Sequence, residues 1–374
     1  MKRYGVVMAG GGGTRFWPLS RQALPKQLLS LNGKELMINE TIHRIQKAIA
    51  LDDIFVVTGQ NQSNEMASAL EGEIRLDHML LEPSARNTAA CIGYAAFEIL
   101  KKYGDGIMCV FPSDHYIENT DHFLKTLETA IAAAEEQDRL VTIGIQPEYP
   151  ATGYGYIQYD KNETSPVKKV LSFREKPDAV TAKRYLESGS YLWNSGMFIW
   201  KATTIIDSYQ KLLPSVYDYL TRIAEAMGTP HEDETIREVY PRMPSISIDY
   251  GILEHAEDVL VVPGNFIWND VGSWDNLGVF HQEDENGNIV NGHLVQIDTS
   301  NCICYAKDKL IATIGIENLV IVEAGDALLV CDRNRVQEVK KIVERLEQEG
   351  KKAETVLRGE LLIRPELFLN GINL

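Results

Sequence analysis

Short apolar runs alternate with amphipathic helical segments through roughly the first 150 residues, and this pattern restricts the fold most tightly. Tyr4 to Met8, Ile54 to Thr58, His78 to Leu81, Ile107 to Phe111 and Leu140 to Ile145 read as buried strands. Between them, Glu35 to Ala50 sets Ile38, Ile42, Ile45 and Ile49 on one helical face, and Thr88 to Tyr103 is similarly amphipathic. Strands separated by crossover helices build parallel sheet, so a doubly wound α/β layer is predicted. After Gly153 the pattern mixes strand-like Tyr154 to Tyr159, Val167 to Arg174 and Gly196 to Trp200 with helical Thr203 to Leu213 and Val216 to Met227. Beyond Asn286 come five short β-rich runs between Leu294 and Cys331, which suggest a small all-β appendage, sandwich-like or coiled as a β-helix. A charged amphipathic helix over Val336 to Glu349 follows. The predicted division is 1–283 for the α/β domain, 284–335 for the short all-β appendage, and 336–374 for a C-terminal helix and tail.

Directly after the first apolar run stands Gly10-Gly11-Gly12-Gly13-Thr14-Arg15, leading into Phe16-Trp17-Pro18-Leu19-Ser20-Arg21 and Pro25-Lys26-Gln27. Glycines let backbone N–H groups approach an anion closely, and Arg15 and Lys26 can add the charge that amides lack. A Walker loop would need Gly-Lys-Ser/Thr where Arg15 stands, and the dinucleotide fingerprint begun at Gly10 needs glycine at that same position. The loop is therefore a phosphate cradle of another kind.

The chain of 374 residues carries a formal charge of −16, which argues against nucleic-acid and anionic-membrane partners. Any anionic ligand has to be held by local cations. Five cysteines, mostly within apolar runs, read as reduced core residues; Cys302 and Cys304 lack a second Cys/His pair at zinc-site spacing. With neither a signal-like apolar N-terminus nor a membrane-length apolar run, the expected location is the cytoplasm.

Candidate chemistry lies at several strand ends. Asp114, in Phe111-Pro112-Ser113-Asp114-His115, follows a strand at the edge where open α/β sheets bind ligands, and is placed either for a metal or as a turn cap. Asp270, in Trp268-Asn269-Asp270-Val271-Gly272-Ser273-Trp274, offers a second hard oxygen ligand, with capping again the structural alternative. Two carboxylates plus substrate phosphates suit Mg²⁺, which retains waters and seldom uses a full protein cage. Glu175-Lys176-Pro177 places a carboxylate beside a lysine, either a solvated charge pair or a grip on hydroxyls and an anion. Trp193-Asn194-Ser195-Gly196 adds an amide among aromatics, and Thr152-Gly153-Tyr154-Gly155-Tyr156 alternates glycine with tyrosine, as a β-bulge also would.

These motifs, together with Glu82-Pro83 and Arg86-Asn87-Thr88, occur in an order that resembles the sugar-nucleotide pyrophosphorylases, most closely their bacterial mannose-1-phosphate guanylyltransferase branch. The resemblance spans roughly residues 4 to 340. It implies a Rossmann-like mixed sheet of the GT-A kind, followed by a short left-handed β-helix. It also implies GTP, mannose 1-phosphate and Mg²⁺ as ligands. Nucleotide contacts are implied at Gly10, Gly11, Gly12, Gly13, Thr14, Glu82, Arg86, Asn87, Thr88 and Ser113. Arg15 and Lys26 match stabilisers of the triphosphate, Asp114 and Asp270 the metal aspartates, and Lys176 the lysine on the sugar 1-phosphate. Gly153, Glu175 and Asn194 match sugar-contacting positions. Relatives that continue into an isomerase domain lead to the expectation that this chain, ending at Leu374, lacks that activity.

The implied chemistry joins two anions, so charge neutralisation and positioning should carry the rate and no catalytic triad is expected. Glu82 is expected to favour guanine, whose N1–H and exocyclic amine one carboxylate can accept together; the alternative is that Glu82 only ties down its loop. Two other functions compete. One is a related enzyme using glucose 1-phosphate with UTP or dTTP; the other is a non-catalytic sugar-nucleotide sensor, disfavoured because Arg15, Lys26, Asp114, Lys176 and Asp270 are all present. Exposed rungs and edges of the β appendage need covering, which makes a homodimer an expectation.

Overall fold

The computed structural model describes residues 1–22 and 24–350, so the predicted tail from 351 onward lies outside the described residues. It divides into two compact units, one made of Met1–Gly11 with Ser30–Val271 and the other of Gly12–Leu29 with the chain from Gly272. The glycine loop is thus shared between them in sequence.

The first unit runs β1 (Arg3–Met8), α1 (Met37–Ile45), β2 (Ile54–Gly59), α2 (Ser63–Ala69), β3 (Met79–Glu82), α3 (Asn87–Tyr103), β4 (Ile107–Pro112), β5 (Tyr116–Glu118), α4 (Thr120–Gln137) and β6 (Leu140–Ile145). It continues with β7 (Tyr156–Tyr159), β8 (Lys168–Arg174), α5 (Ala179–Ser188), β9 (Tyr191–Lys201), α6 (Ala202–Leu212), α7 (Pro214–Ala226), α8 (Glu232–Val239), β10 (Val259–Gly264) and β11 (Ile267–Asn269). Nine strands form one mixed sheet in the order β3-β2-β1-β4-β9-β6-β10-β8-β7. Its first four strands are parallel, as the alternation of apolar runs and helices predicts. β9 then enters antiparallel between β4 and β6, and its first half also pairs with β7. Such a long strand serves two neighbours by bending: the β6–β9 register shifts between Thr142 and Gly144, opposite Asn194, and Gly196 takes φ +71°. The core spans the sheet and the helices on it, with Val6, Phe55, Val110, Trp200 and Tyr209 all at most 1% exposed.

In the second unit β12 (Ile289–Asn291), β13 (Leu294–Ile297), β14 (Ile303–Ala306), β15 (Ile311–Ile314), β16 (Leu319–Ala324) and β17 (Ala327–Asp332) precede α9 (Val339–Gln348). Parallel pairing of β12 with β14, β14 with β16, and β13 with β15 stacks successive coils, which decides for a β-helix over a sandwich. Cys302, Cys304, Ala306, Ile311 and Ile321 fill its interior. Asn288 is fully buried and satisfied there, donating to Asp284, Gln296 and the Thr299 carbonyl while accepting from the Cys302 N–H. Among the described residues no helix is long and apolar enough to cross a membrane.

Candidate active site

The carboxyl ends of the parallel strands β1, β3 and β4 open onto a cavity of about 420 Å³ within the first unit. One end of it is built around Glu82. This residue closes β3 rather than lying beyond it, is 6% exposed, and accepts a hydrogen bond from the Tyr240 hydroxyl. Burial pushes its carboxyl above the usual range, with Tyr240 opposing the shift. A Cβ on Gly10 would stand 3.1 Å from Glu82 Oε2, so the bare glycine leaves that oxygen accessible from the loop side. Arg86 lines the same end, and its buried Nε has no hydrogen-bond partner among the described residues. Asn87 starts α3 with φ +66° and accepts from the Thr88 N–H at 2.8 Å, while Thr88 Oγ1 accepts from the Ile248 N–H at 2.9 Å.

The opposite end gathers Gly153, Gly155, Glu175, Asn194 and Asp249. The Asn194 amide is oriented by its neighbours: Oδ1 accepts from the Gly196 N–H at 3.3 Å and Nδ2 donates to Asp249 Oδ1 at 2.8 Å. Glu175 Oε1 pairs with Lys176 Nζ at 2.9 Å, whereas the buried Glu175 Oε2 has no hydrogen-bond partner among the described residues. A Cβ on Gly155 would fall 2.4 Å from that oxygen. Lys176 takes φ +45°, a strained position for a side-chain-bearing residue, and remains half exposed next to the cavity residue Glu175. Asp249 has its carboxyl pushed up to about 6, first by desolvation and then by the neighbouring Glu175 charge.

Between the two ends, β5 and β11 form an antiparallel ribbon with Asn269 opposite Tyr116. That register brings the segments bearing Asp114 and Asp270 together just past its end. Asp270 lines the cavity and accepts a 2.8 Å hydrogen bond from the Tyr154 hydroxyl. Asp114 occupies the turn after β4 and, like the buried Ser113, does not line the cavity. Ser113 instead fastens strand ends, its N–H donating to the Met8 carbonyl at 3.1 Å and its carbonyl accepting from Thr41 at 3.3 Å. No group of three or more His, Cys, Asp and Glu side chains forms a metal cage among the described residues. Two carboxylates carried on one ribbon end suit a hard cation that completes its shell with phosphate and water.

Gly12, Gly13, Thr14, Arg15 and Lys26 belong to the second unit. There the loop is anchored by aromatics: Phe16 meets Trp274 at 5.1 Å between ring centroids, and Trp274 Nε1 donates to the Trp17 carbonyl at 3.1 Å. Arg21, almost fully buried, pairs with Asp326 at 2.6 Å. Arg15 is exposed and donates to the Gly272 carbonyl at 3.3 Å, whereas Lys26 is 5% exposed with Nζ 5.8 Å from the Phe16 ring.

Among the cavity residues that sequence reasoning missed are Tyr154, as a partner of Asp270, and Asp249. Asp249 opens a π-helical turn, Asp249–Leu253, for which no sequence signature exists although such turns are frequent at functional sites.

Residues 4–287 match the Nucleotidyl transferase family model, and residues 292–346 match that of the MannoseP isomerase/GMP-like beta-helix domain. A mannose-1-phosphate guanylyltransferase of Salmonella montevideo is 38% identical, with 92% of this chain aligned to 74% of that protein. The chain belongs to the mannose-1-phosphate guanylyltransferase family. Another mannose-1-phosphate guanylyltransferase, from Escherichia coli, is 36% identical over 96% of this chain and 76% of its own length. The Thermus thermophilus crystal structure described as a mannose-1-phosphate geranyltransferase superposes with a TM-score of 0.84 at 34% identity, covering 93% of this chain and all of that one.

Proposed function

We propose that the protein transfers the guanylyl group of GTP to mannose 1-phosphate, giving GDP-mannose and pyrophosphate. The observation that carries this reading is a single cavity lined by the buried carboxylate of Glu82 and, from other segments of the chain, by the carboxylates of Glu175 and Asp249 with the Asn194 amide. A phosphate oxygen of the sugar attacks the α-phosphorus, forming one P–O bond while the bond to the β-phosphate oxygen breaks. Since the attacking phosphate is already ionised near neutral pH, no general base is required. Arg15 and Lys26 neutralise the triphosphate and departing pyrophosphate, assisted by the amides of Gly10 to Thr14; Arg86, Asn87, Thr88 and Ser113 complete the nucleotide end. Lys176 holds the sugar 1-phosphate, and Gly153, Glu175 and Asn194 contact the sugar. Asp114 and Asp270 would hold a divalent cation, Mg²⁺ by its taste for oxygen ligands, which supplies positive charge on the phosphates when bound.

Glu82 is the guanine reader in this scheme. Pyrophosphate release measured over a matrix of nucleoside triphosphates and sugar 1-phosphates should be fastest for GTP with mannose 1-phosphate. Equal or faster turnover with UTP and glucose 1-phosphate would overturn the reading. Glu82→Gln retains an acceptor for Tyr240 but loses the second carboxylate oxygen, so the preference for GTP over UTP should fall by at least about tenfold. An unchanged preference would remove Glu82 from this role.

A further inference from the structure

We propose that Asp249 is a specificity-determining residue whose carboxylate accepts a hydrogen bond directly from a hydroxyl of the hexose, acting with Glu175 across the Asn194 amide. This inference rests on the proposed function and assigns a side chain that the sugar-contacting motifs do not include.

The geometry leaves Asp249 little else to do. It lines the cavity, and among the described residues Asn194 is the one side chain that donates to its carboxylate, beside its own backbone N–H. No cation forms a direct ion pair with it there, since the nearby Lys176 pairs with Glu175. A carboxylate retained beside a second carboxylate, without its own counter-ion, is a poor structural choice. It becomes a good one when ligand hydroxyls supply the missing donors. Glu175 Oε2, buried beside Gly155 and without a hydrogen-bond partner among the described residues, has the same need. The Asn194 amide spends one Nδ2 hydrogen on Asp249, keeping the other free for the same ligand. Together they form an acceptor–donor–acceptor row, which matches adjacent ring hydroxyls and not an apolar or purely anionic group.

Electrostatics gives this inference a readout that a structural role would not produce. Asp249 is held at about 6 by desolvation and by Glu175, with its own backbone N–H, Asn194 and Lys176 pulling the other way. The charged groups around it are Glu175 and Lys176 from the segment after β8 and Glu254, which accepts from the Glu175 N–H at 3.0 Å; His115 lines the cavity from the β4–β5 turn. A folded-state value above the unfolded one means that the protonated form favours the fold. The stability is present below about pH 4 and lost as pH rises through about 6. Removing the charge should therefore stabilise the protein at neutral pH.

Asp249→Asn tests both sides. At pH 7.5 the variant should raise the KM for mannose 1-phosphate by at least about tenfold, with the KM for GTP within about twofold of the parent. Its Tm should equal or exceed the parent's at pH 7.5, and the difference should shrink toward pH 4. A sugar KM within about twofold of the parent overturns the proposal, as does a GTP KM that rises in parallel. A Tm well below the parent's at pH 7.5 also overturns it, by making Asp249 structural. Should the parent prefer another hexose 1-phosphate, the proposed function fails while Asp249 is judged on the KM of that sugar.

Discussion

Asp270→Asn is expected to lower kcat/KM by more than about a hundredfold, beyond the ~10–100-fold typical of residues that merely support a metal ligand, while the fold stays intact. Asparagine keeps an oxygen where Asp270 Oδ1 accepts from the Tyr154 hydroxyl at 2.8 Å. Tyr154 therefore retains its place against Trp193 and Trp268, with ring centroids 5.1 and 5.3 Å away. The negative charge disappears and the second carboxylate oxygen becomes an amide donor. The backbone here is held at some cost: Val271, fully buried, sits at φ +47°, where a β-branched residue carries strain of about 1–3 kcal/mol. A strained residue next to a carboxylate is one way a chain fixes the direction of that carboxylate. Asp114→Asn should reproduce the loss, and both variants should bind Mn²⁺, used as a titrating probe, more weakly than the parent. Tyr154→Phe keeps the charge and removes the hydroxyl, so its loss should be smaller, about tenfold. Undiminished turnover in either aspartate variant would sink the metal assignment.

How far the sequence can be read depends on the periodicity of each element. β1 to β4 and their helices were legible because buried parallel strands and amphipathic crossovers leave two distinct periods in the chain. The insertion of β9 between β4 and β6 was not, since nothing local in Tyr191 to Lys201 encodes an antiparallel partner far away in sequence. The same applies at the site. Glu82, Glu175, Asn194 and Asp270 stand in motifs with glycine, proline or aromatic neighbours, so sequence alone nominated them, and all four line one cavity. Asp249 has no such setting. Its place follows from a π-helical turn in Asp249–Leu253 and from a bulge in β6 opposite Asn194, both set by tertiary packing. The twofold character of the glycine loop was hidden for a related reason. Phe16, Trp17 and Arg21 read as part of a phosphate motif, yet they pack with Trp274 and Asp326 as the anchors of the second unit.

That anchoring makes Gly13→Ala the second large effect, with an expected rise of at least about tenfold in the KM for GTP together with a lower Tm. Gly13 has φ +56°, where an added Cβ costs about 1–2 kcal/mol through backbone strain alone. The contact is worse: the new Cβ would fall 2.4 Å from Lys26 Cβ and 2.8 Å from Lys26 N. Neither partner yields cheaply. The Gly13 carbonyl accepts from Ser20 Oγ at 2.7 Å and from the Phe16 N–H at 3.0 Å, and Lys26 is buried. Relief must come from moving the segment that carries Arg15 or the one that carries Lys26, the two cations proposed for the triphosphate. Overpacking of this kind adds about 1–3 kcal/mol to the strain. Gly11→Ala separates the two contributions, because Gly11 has φ +91° but nothing within 4 Å of its added Cβ. It should show the backbone penalty without the displacement, hence a smaller fall in Tm; Gly11 itself lines the cavity, so stability and not the KM for GTP is the comparison. Equal falls in Tm in the two variants would mean that backbone conformation alone governs the loop and that the seat on Lys26 is incidental.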